Sequence, residues 1–236
     1  MFSLSAHFYD AIYLSRGKDY EADAQSVHEL VKANLKSGGN TLLDVACGTG
    51  IHLSYLKNYF DCEGLDLDPK MLEAAQKKMP DMKFHVGNML DFDLGKQFDV
   101  VTCLFSSIGY VKTVPNMKRA IANMSCHLKP GGVLIIEPWF APEDWNPKDV
   151  YATFIDQPEL KIARINISER DGLISFFIFH YLVGTPKGVE YFQERHELGL
   201  FTTDEYKLAF LDCDLEVIHD PWWLNARGLY LGLKPL

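Results

Sequence analysis

TLLDVACGTGIHLSYLKNYFDCEGLDLD, residues 41–68, is the stretch on which the fold turns. Its apolar opening, Leu42-Leu43-Asp44-Val45-Ala46, reads as a buried strand. A glycine-rich turn follows, Cys47-Gly48-Thr49-Gly50, and then Ile51, Leu53, Leu56 and Phe60 recur at roughly helical spacing. Gly64-Leu65-Asp66-Leu67 is a second strand ending in a carboxylate. Strand, glycine turn, helix and acid-tipped strand make the first half of a nucleotide-binding βαβ unit.

Gly48 and Gly50 lack a Cβ, so the backbone can turn sharply and a ligand can approach it closely. Asp66, at the carboxyl end of the next strand, faces the same crevice, where a carboxylate accepts both hydroxyls of a ribose. The dinucleotide fingerprint G-x-G-x-x-G is incomplete. Counted from Gly48 and Gly50 its third position is Leu53, and counted from Ala46 and Gly48 it is Ile51. The small residue needed for close helix packing beside a pyrophosphate is missing, so NAD fits poorly. A nucleoside without phosphates, such as S-adenosylmethionine, fits better. With Asp44 and Asp66 both in place, the glycines do more than end a strand.

Outward from this unit, strands and helices alternate. Upstream lies an aromatic-rich arm, MFSLSAHFYDAIYLSRG, read as a mobile arm or a lid over the crevice. An amphipathic helix from Lys18 to Ser37 follows and stops at Gly38-Gly39. Downstream, Asp68 caps a helix opening on Pro69. Lys83-Phe84-His85-Val86, Phe98–Phe105 and Val133–Glu137 read as strands, with a helix over Pro115–Leu128 and a turn at Lys129-Pro130-Gly131-Gly132. This rhythm predicts a doubly wound parallel sheet. It breaks near Trp139. Over residues 151–201 the period becomes two, as in Ala163/Ile165/Ile167 and Ile174/Phe176/Ile178, with turns at Arg170-Asp171-Gly172 and Thr185-Pro186-Lys187-Gly188. Thr202 and Glu205 then form a capping box for a helix through Phe210, and Leu215–Ile218 and Gly228–Leu233 are the last strands. The predicted fold is α/β: a Rossmann-like doubly wound sheet over residues 1–145 and 202–236, carrying an inserted antiparallel sheet over 146–201.

The 236 residues, 47% of them hydrophobic, suffice for one full core with a small insert. A net charge of -9 with no Lys/Arg run argues against a nucleic-acid partner. The five cysteines form no C-x-x-C pair, which points to reduced thiols in the cytoplasm. No signal-peptide pattern and no run of membrane-spanning length is present, and no His/Cys/Asp cluster has metal-ligand spacing.

LLDVACGTG, GLDLD, VGNML, FDVVTCLFSSIGY and LKPGGVLIIEPW, in that order, resemble the motifs of class I S-adenosylmethionine-dependent methyltransferases. Across nearly the whole chain, YDAIYLSRGKDYEADA, FSSIGYVKT, IEPWFAP, HYLVGTPKGVEYF, ERHELGLFT and ARGLYLG resemble the dTDP-amino-sugar N,N-dimethyltransferases. The resemblance implies an enzyme that methylates a sugar amine twice, and a homodimer formed through the inserted sheet. It places the cofactor's methionine end near Ala46, Gly48, Tyr13 and Arg16, its ribose on Asp66, and its adenine between Leu67 and the Asn88-Met89 pair. Phe105 and Ser106 would lie beside the sulfonium. The chain departs from the family at Asn88, where the family has Asp, and at Asp220-Pro221-Trp222-Trp223-Leu224-Asn225, where the family is glycine-rich. A weaker grip on adenine and a different acceptor are expected from these.

Tyr13 and Tyr110 are candidates for the methyl-transfer site, because aromatic faces attract a sulfonium cation; ordinary packing is the alternative. His180 and His196 stand in strands of the insert, where either would orient the acceptor's amine or diphosphate, or serve only structure. Arg227 would pair with the acceptor's phosphates or form a surface salt bridge. Glu137 ends a central strand at the carboxyl edge, where sites gather and an acid is costly to bury without a partner, which makes it a candidate acceptor-binding residue. Transfer to a neutral amine would be direct, since a sulfonium is already an activated donor and calls for neither a metal nor an obligate base. Two other classes fit the sequence: a methyltransferase for another small amine, hydroxyl or carboxylate, and a non-enzymatic S-adenosylmethionine-binding protein.

Overall fold

The computed structural model describes residues 2, 4–223 and 227–236. At its centre the two strands flanking the glycine turn, β1 (Thr41–Val45) and β2 (Asp61–Asp66), pair in parallel. β3 (Lys83–Val86) adds beyond β2, and β4 (Phe98–Cys103) and β5 (Leu128–Ile136) add on the other side of β1, all parallel. The chain end supplies β10 (Glu216–Asp220) and β11 (Leu229–Leu233), with β11 antiparallel to β5, giving the order β10-β11-β5-β4-β1-β2-β3. Every residue of β4 is buried, as its unbroken apolar run requires of a strand covered on both faces.

Helices cover both faces. α2 (Tyr20–Asn34), α3 (Ile51–Leu56) and α4 (Pro69–Lys78) pack Val27, Leu53 and Leu72 against Leu42, Val100 and Ile135. α5 (Val114–Cys126) and α6 (Thr203–Leu211) pack Met117, Ile121 and Phe210 against Leu43, Val101 and Leu134 on the other. Their starts are local chemistry: Asp19, Asp68 and Thr113 each accept a backbone N–H of the first turn, and Thr202 and Glu205 make both bonds of a capping box.

Between β5 and α6 lies a separate antiparallel meander of β6 (Val150–Gln157), β7 (Leu160–Asp171), β8 (Ile174–Thr185) and β9 (Gly188–Gly199). Its last two hairpins turn at the predicted glycines, where Gly172 and Gly188 have positive φ. The aromatic arm is not a free tail. It folds into α1 (Tyr9–Ser15), and Ile12 joins Trp145, Ile155, Phe177 and Phe179 in a third core between arm and meander.

Several expected boundaries move: β4 ends at Cys103, short of Phe105, where the chain takes a positive φ, and the helix expected over Pro115–Leu128 ends at Cys126. The first helix begins at Tyr20 and ends at Asn34, because Asp19 caps it and Leu35 is already extended, well before Gly38-Gly39. Lys129-Pro130-Gly131-Gly132 lies within β5, where the register shift between Phe98 and Val100 absorbs the glycines as a bulge. Among the described residues, no helix is long and apolar enough to cross a membrane.

Candidate active site

Above the carboxyl ends of β1, β2 and β4 opens a cavity of about 770 Å³, within the ~300–1,000 Å³ of small-molecule sites. On the sheet side, both oxygens of Asp66 are set by backbone donors: Gly48 N–H to Oδ2 and Asp68 N–H to Oδ1, each 2.8 Å. Burial raises the Asp66 carboxyl above the ordinary range despite these bonds. Three non-glycine residues with positive φ line the cavity: Ala46 at 60°, Phe105 at 54° and Ser106 at 64°. Strain of this kind concentrates at ligand sites. Glu137 holds the second strained turn, because its Oε2 accepts the Phe105 N–H at 2.7 Å while Oε1 meets Arg227 Nη2 at 3.0 Å.

The arm closes one side. Asp10 of α1 accepts from the hydroxyl of Thr49, in the glycine turn, and from Lys78 of α4. This brings Tyr13 edge-on to Phe105, with ring centroids 4.8 Å apart, and Tyr9 against Tyr13 at 4.7 Å. The opposite wall is the inward face of the meander, with Tyr151 and Thr153 on β6 and Arg164, Asn166 and Ser168 on β7. Tyr110 lies between the two walls, its hydroxyl 2.8 Å from Nδ1 of His196.

Of the residues singled out in the sequence, Tyr13, Arg16, Ala46, Gly48, Asp66, Leu67, Asn88, Met89, Phe105, Ser106, Tyr110 and Arg227 all line this one cavity. Gly50 does not. It caps α3 at a φ of 70° and faces Met79, Ala75 and Phe84, where a Cβ would come within 2.8 Å of the Met79 methyl. Glu137 and His196 stand just behind the lining, in contact through Arg227 and Tyr110. His180 is on the other face of the meander, exposed and bonded to the Tyr191 hydroxyl at 2.7 Å, so the expected contact with the acceptor has no route in this chain. A one-residue change of strand parity separates it from the inward Phe179 and Tyr181. Arg227 is not part of a surface bridge: it lines the cavity with its Nη2 paired to the buried Glu137. Trp222 is exposed, Trp223 packs on the core beside Leu229, and Leu224 and Asn225 lie outside the described residues. The sequence reading missed Tyr9 and the polar row of Arg164, Asn166 and Ser168, whose signal was an alternation opposite in phase to Ala163/Ile165/Ile167.

Residues 42–132 match a methyltransferase domain family. Over 97% of both chains, 40% of residues are identical to the dTDP-3-amino-3,4,6-trideoxy-alpha-D-glucopyranose N,N-dimethyltransferase of Streptomyces venezuelae. Identity is also 40%, over 97% of this chain and 92% of the relative, to the dTDP-4-amino-2,3,4,6-tetradeoxy-D-glucose N,N-dimethyltransferase of Saccharopolyspora spinosa. The chain belongs to this family of class I methyltransferases. Among solved structures it superposes on the S-adenosylmethionine-bound amino pentose methyltransferase of Micromonospora echinaspora with a TM-score of 0.87, at 38% identity over 96% of each chain. The methyltransferase is thus similar to these enzymes over the meander and the arm as well as the cofactor domain. Its cavity suits S-adenosylmethionine on its own evidence: a carboxylate fixed by two backbone N–H groups, a left-handed Ala46-to-Gly48 turn, and an aromatic wall for a cation.

Proposed function

We propose that this methyltransferase methylates the amine of a dTDP-linked amino sugar. The observation that carries the reading is the continuity of the cavity. One space runs from Asp66 past Tyr13, Phe105 and Tyr110 to the polar inward row of β7, leaving room for an acceptor beyond the cofactor. Asp66 would take the ribose, and Leu67, Asn88 and Met89 would border the adenine. Phe105, Tyr13 and Tyr9 would offer their rings to the sulfonium. S-adenosylmethionine, when bound, supplies an already activated methyl group.

The chain's task is then to hold a neutral amine in line with that methyl. A free α-amino group has a pKa of ~7.7–8.0, and an amine beside sugar oxygens is comparable, so a useful fraction is neutral near pH 7. Holding two reactants at attack distance is worth up to ~7–11 kcal/mol. Mass spectrometry of products from a panel of dTDP-amino sugars incubated with S-adenosylmethionine tests the reading. One or two added methyl groups on a dTDP-amino sugar are expected. Turnover of other small amines but none of the panel would replace it with the wider reading of a small-molecule methyltransferase.

The outer face of the meander supports a homodimer. Val150, Phe154, Ile165, Ile167, Leu182 and Tyr191 are exposed on it, around His180. An apolar sheet face of this kind marks an interaction surface. Light scattering should show two chains per particle at micromolar concentration, and one after Phe154→Glu. A wild-type monomer would end the proposal. The five cysteines are unpaired, in keeping with a reducing compartment, and we place the enzyme in the cytoplasm.

A further inference from the structure

We propose that Arg164 anchors the diphosphate of the acceptor, with Thr153, Asn166 and Ser168 completing a polar strip along the meander; the assignment rests on the sugar-nucleotide reading above. Arg164 is 2% exposed and lines the cavity. Its Nη2 donates to Thr153 Oγ1 at 3.3 Å, and its Nη1 is buried with no hydrogen-bond partner among the described residues. No carboxylate among the described residues forms an ion pair with it. Of the other cations lining the cavity, Arg227 has the Glu137 carboxylate and Lys18 that of Asp23, while Arg16 is exposed to solvent. Acids are plentiful, since the net charge is -9. Even Glu194, the acid buried on the same inward face, is occupied by the N–H groups of Leu4 and Ser5 and the Ser5 hydroxyl and forms no ion pair with Arg164. A buried cation without a counter-charge is costly, and one that borders a ligand cavity is completed by an anionic ligand.

The surroundings select the kind of anion. The guanidinium carbon lies 4.3 Å from the Phe179 ring centroid and 5.4 Å from that of Tyr13. Stacked rings hold the planar group still, and its fork of donors matches phosphate oxygens two at a time. From Arg164 the inward row continues through Asn166 to Ser168, neutral donors suited to the rest of a polar chain. Tyr13 touches Arg164 on one side and Phe105 on the other, so an anion held here places what it carries beside the transfer wall.

The same chemistry would also suit the carboxylate of the cofactor's methionine, and the test separates the two sources. Affinities for dTDP, thymidine and S-adenosylmethionine are measured by calorimetry for wild type, Arg164→Met and Arg164→Lys, with thermal unfolding as a check on each variant. Wild type should prefer dTDP to thymidine. In Arg164→Met that preference should shrink by at least about tenfold, the loss expected of a charge-assisted hydrogen bond, while thymidine and S-adenosylmethionine bind as before. Arg164→Lys should fall between, keeping the charge without the fork, and it carries the test if the Met variant does not fold. An unchanged dTDP preference in the folded variants overturns the assignment alone. A loss of S-adenosylmethionine affinity with dTDP untouched overturns it in favour of the cofactor. A wild type that does not discriminate dTDP from thymidine removes the sugar-nucleotide reading and the assignment with it.

Discussion

The hydroxyl of Tyr110 and Nδ1 of His196 lie 2.8 Å apart, and burial disfavours tyrosinate and imidazolium alike. Burial, aided by the charge of Arg164, pushes the imidazole pKa down to about 3. Burial likewise holds the Tyr110 hydroxyl well above its ordinary value. The Nε2 of His196 is buried without a hydrogen-bond partner among the described residues. A proton on Nδ1 leaves no orphaned N–H, and then Tyr110 accepts from His196 and keeps its own proton for the cavity. The pair is therefore expected to position the acceptor and not to deprotonate it.

The pH profile follows. kcat/KM should rise with pH and level off at the pKa of the free acceptor amine, with the same inflection in wild type, Tyr110→Phe and His180→Asn. Tyr110→Phe should lower kcat/KM by about 2–10-fold across the profile, the worth of one neutral hydrogen bond. His180→Asn should change nothing, since His180 faces away from the cavity. Activity abolished at pH 7 and restored by alkali in Tyr110→Phe would make that residue a general base.

Asp66→Ala should weaken S-adenosylmethionine binding by at least about tenfold, through loss of charge-assisted bonds worth ~1.5–3 kcal/mol. The Gly48 and Asp68 N–H groups lose their acceptor as well, so the loop itself loosens. Calorimetry showing an unchanged affinity would remove the ribose from this carboxylate.

Glu137 and Arg227 should behave unequally. Glu137 is 1% exposed, and Arg227→Met leaves its charge buried and unpaired, a situation that costs ~3–5 kcal/mol. Glu137→Gln should cost less, because an amide oxygen can still accept the Phe105 N–H and the partly exposed Arg227 side chain can be hydrated. Urea midpoints for the two variants decide it, and equal losses would mean that the pair is not the main support of the Phe105 turn.

The two halves of the site differed in how far the sequence disclosed them. Over Thr41–Asp68 the chemistry is local: glycines with positive φ, a strand tipped by Asp66 and a cap at Asp68 each speak for themselves. The meander is different, because alternation of period two marks two faces and not which one is buried. Ala163/Ile165/Ile167 look like an inner row and face outward, while Arg164, Asn166 and Ser168 are buried by the arm and the loop after β5. The arm's contacts join residues more than a hundred positions apart, and one step of parity also moves His180 off the site. The Asp10–Thr49 bond that folds the arm onto the glycine turn is also non-local, spanning 39 positions.

Asp44 ties the glycine turn to stability. Its side chain is almost wholly buried on β1, with Oδ1 accepting from the Thr102 hydroxyl at 2.7 Å. Burial raises its pKa to about 6 against the opposing pull of His52 and Thr102, compared with about 3.9 for an unfolded Asp. Between pH 4 and 6 the folded chain therefore binds a proton that the unfolded chain has lost, and this contribution to stability falls as pH rises through that window. Above it the fold carries a buried carboxylate at a cost of ~3 kcal/mol, two pKa units' worth. Asn at this position keeps the carbonyl that Thr102 bonds and never charges. Asp44→Asn should thus be more stable than wild type at pH 7, by an amount approaching that cost, with the gap closing as pH falls to about 4. Asp99, Asp23, Glu63 and Glu197, whose partners hold their pKa values low, weaken both proteins alike in acid, so the difference isolates Asp44. Urea unfolding of the two proteins from pH 4 to 7 measures it, and a gap that stays constant or widens in acid would show that Asp44 is charged in the folded chain throughout.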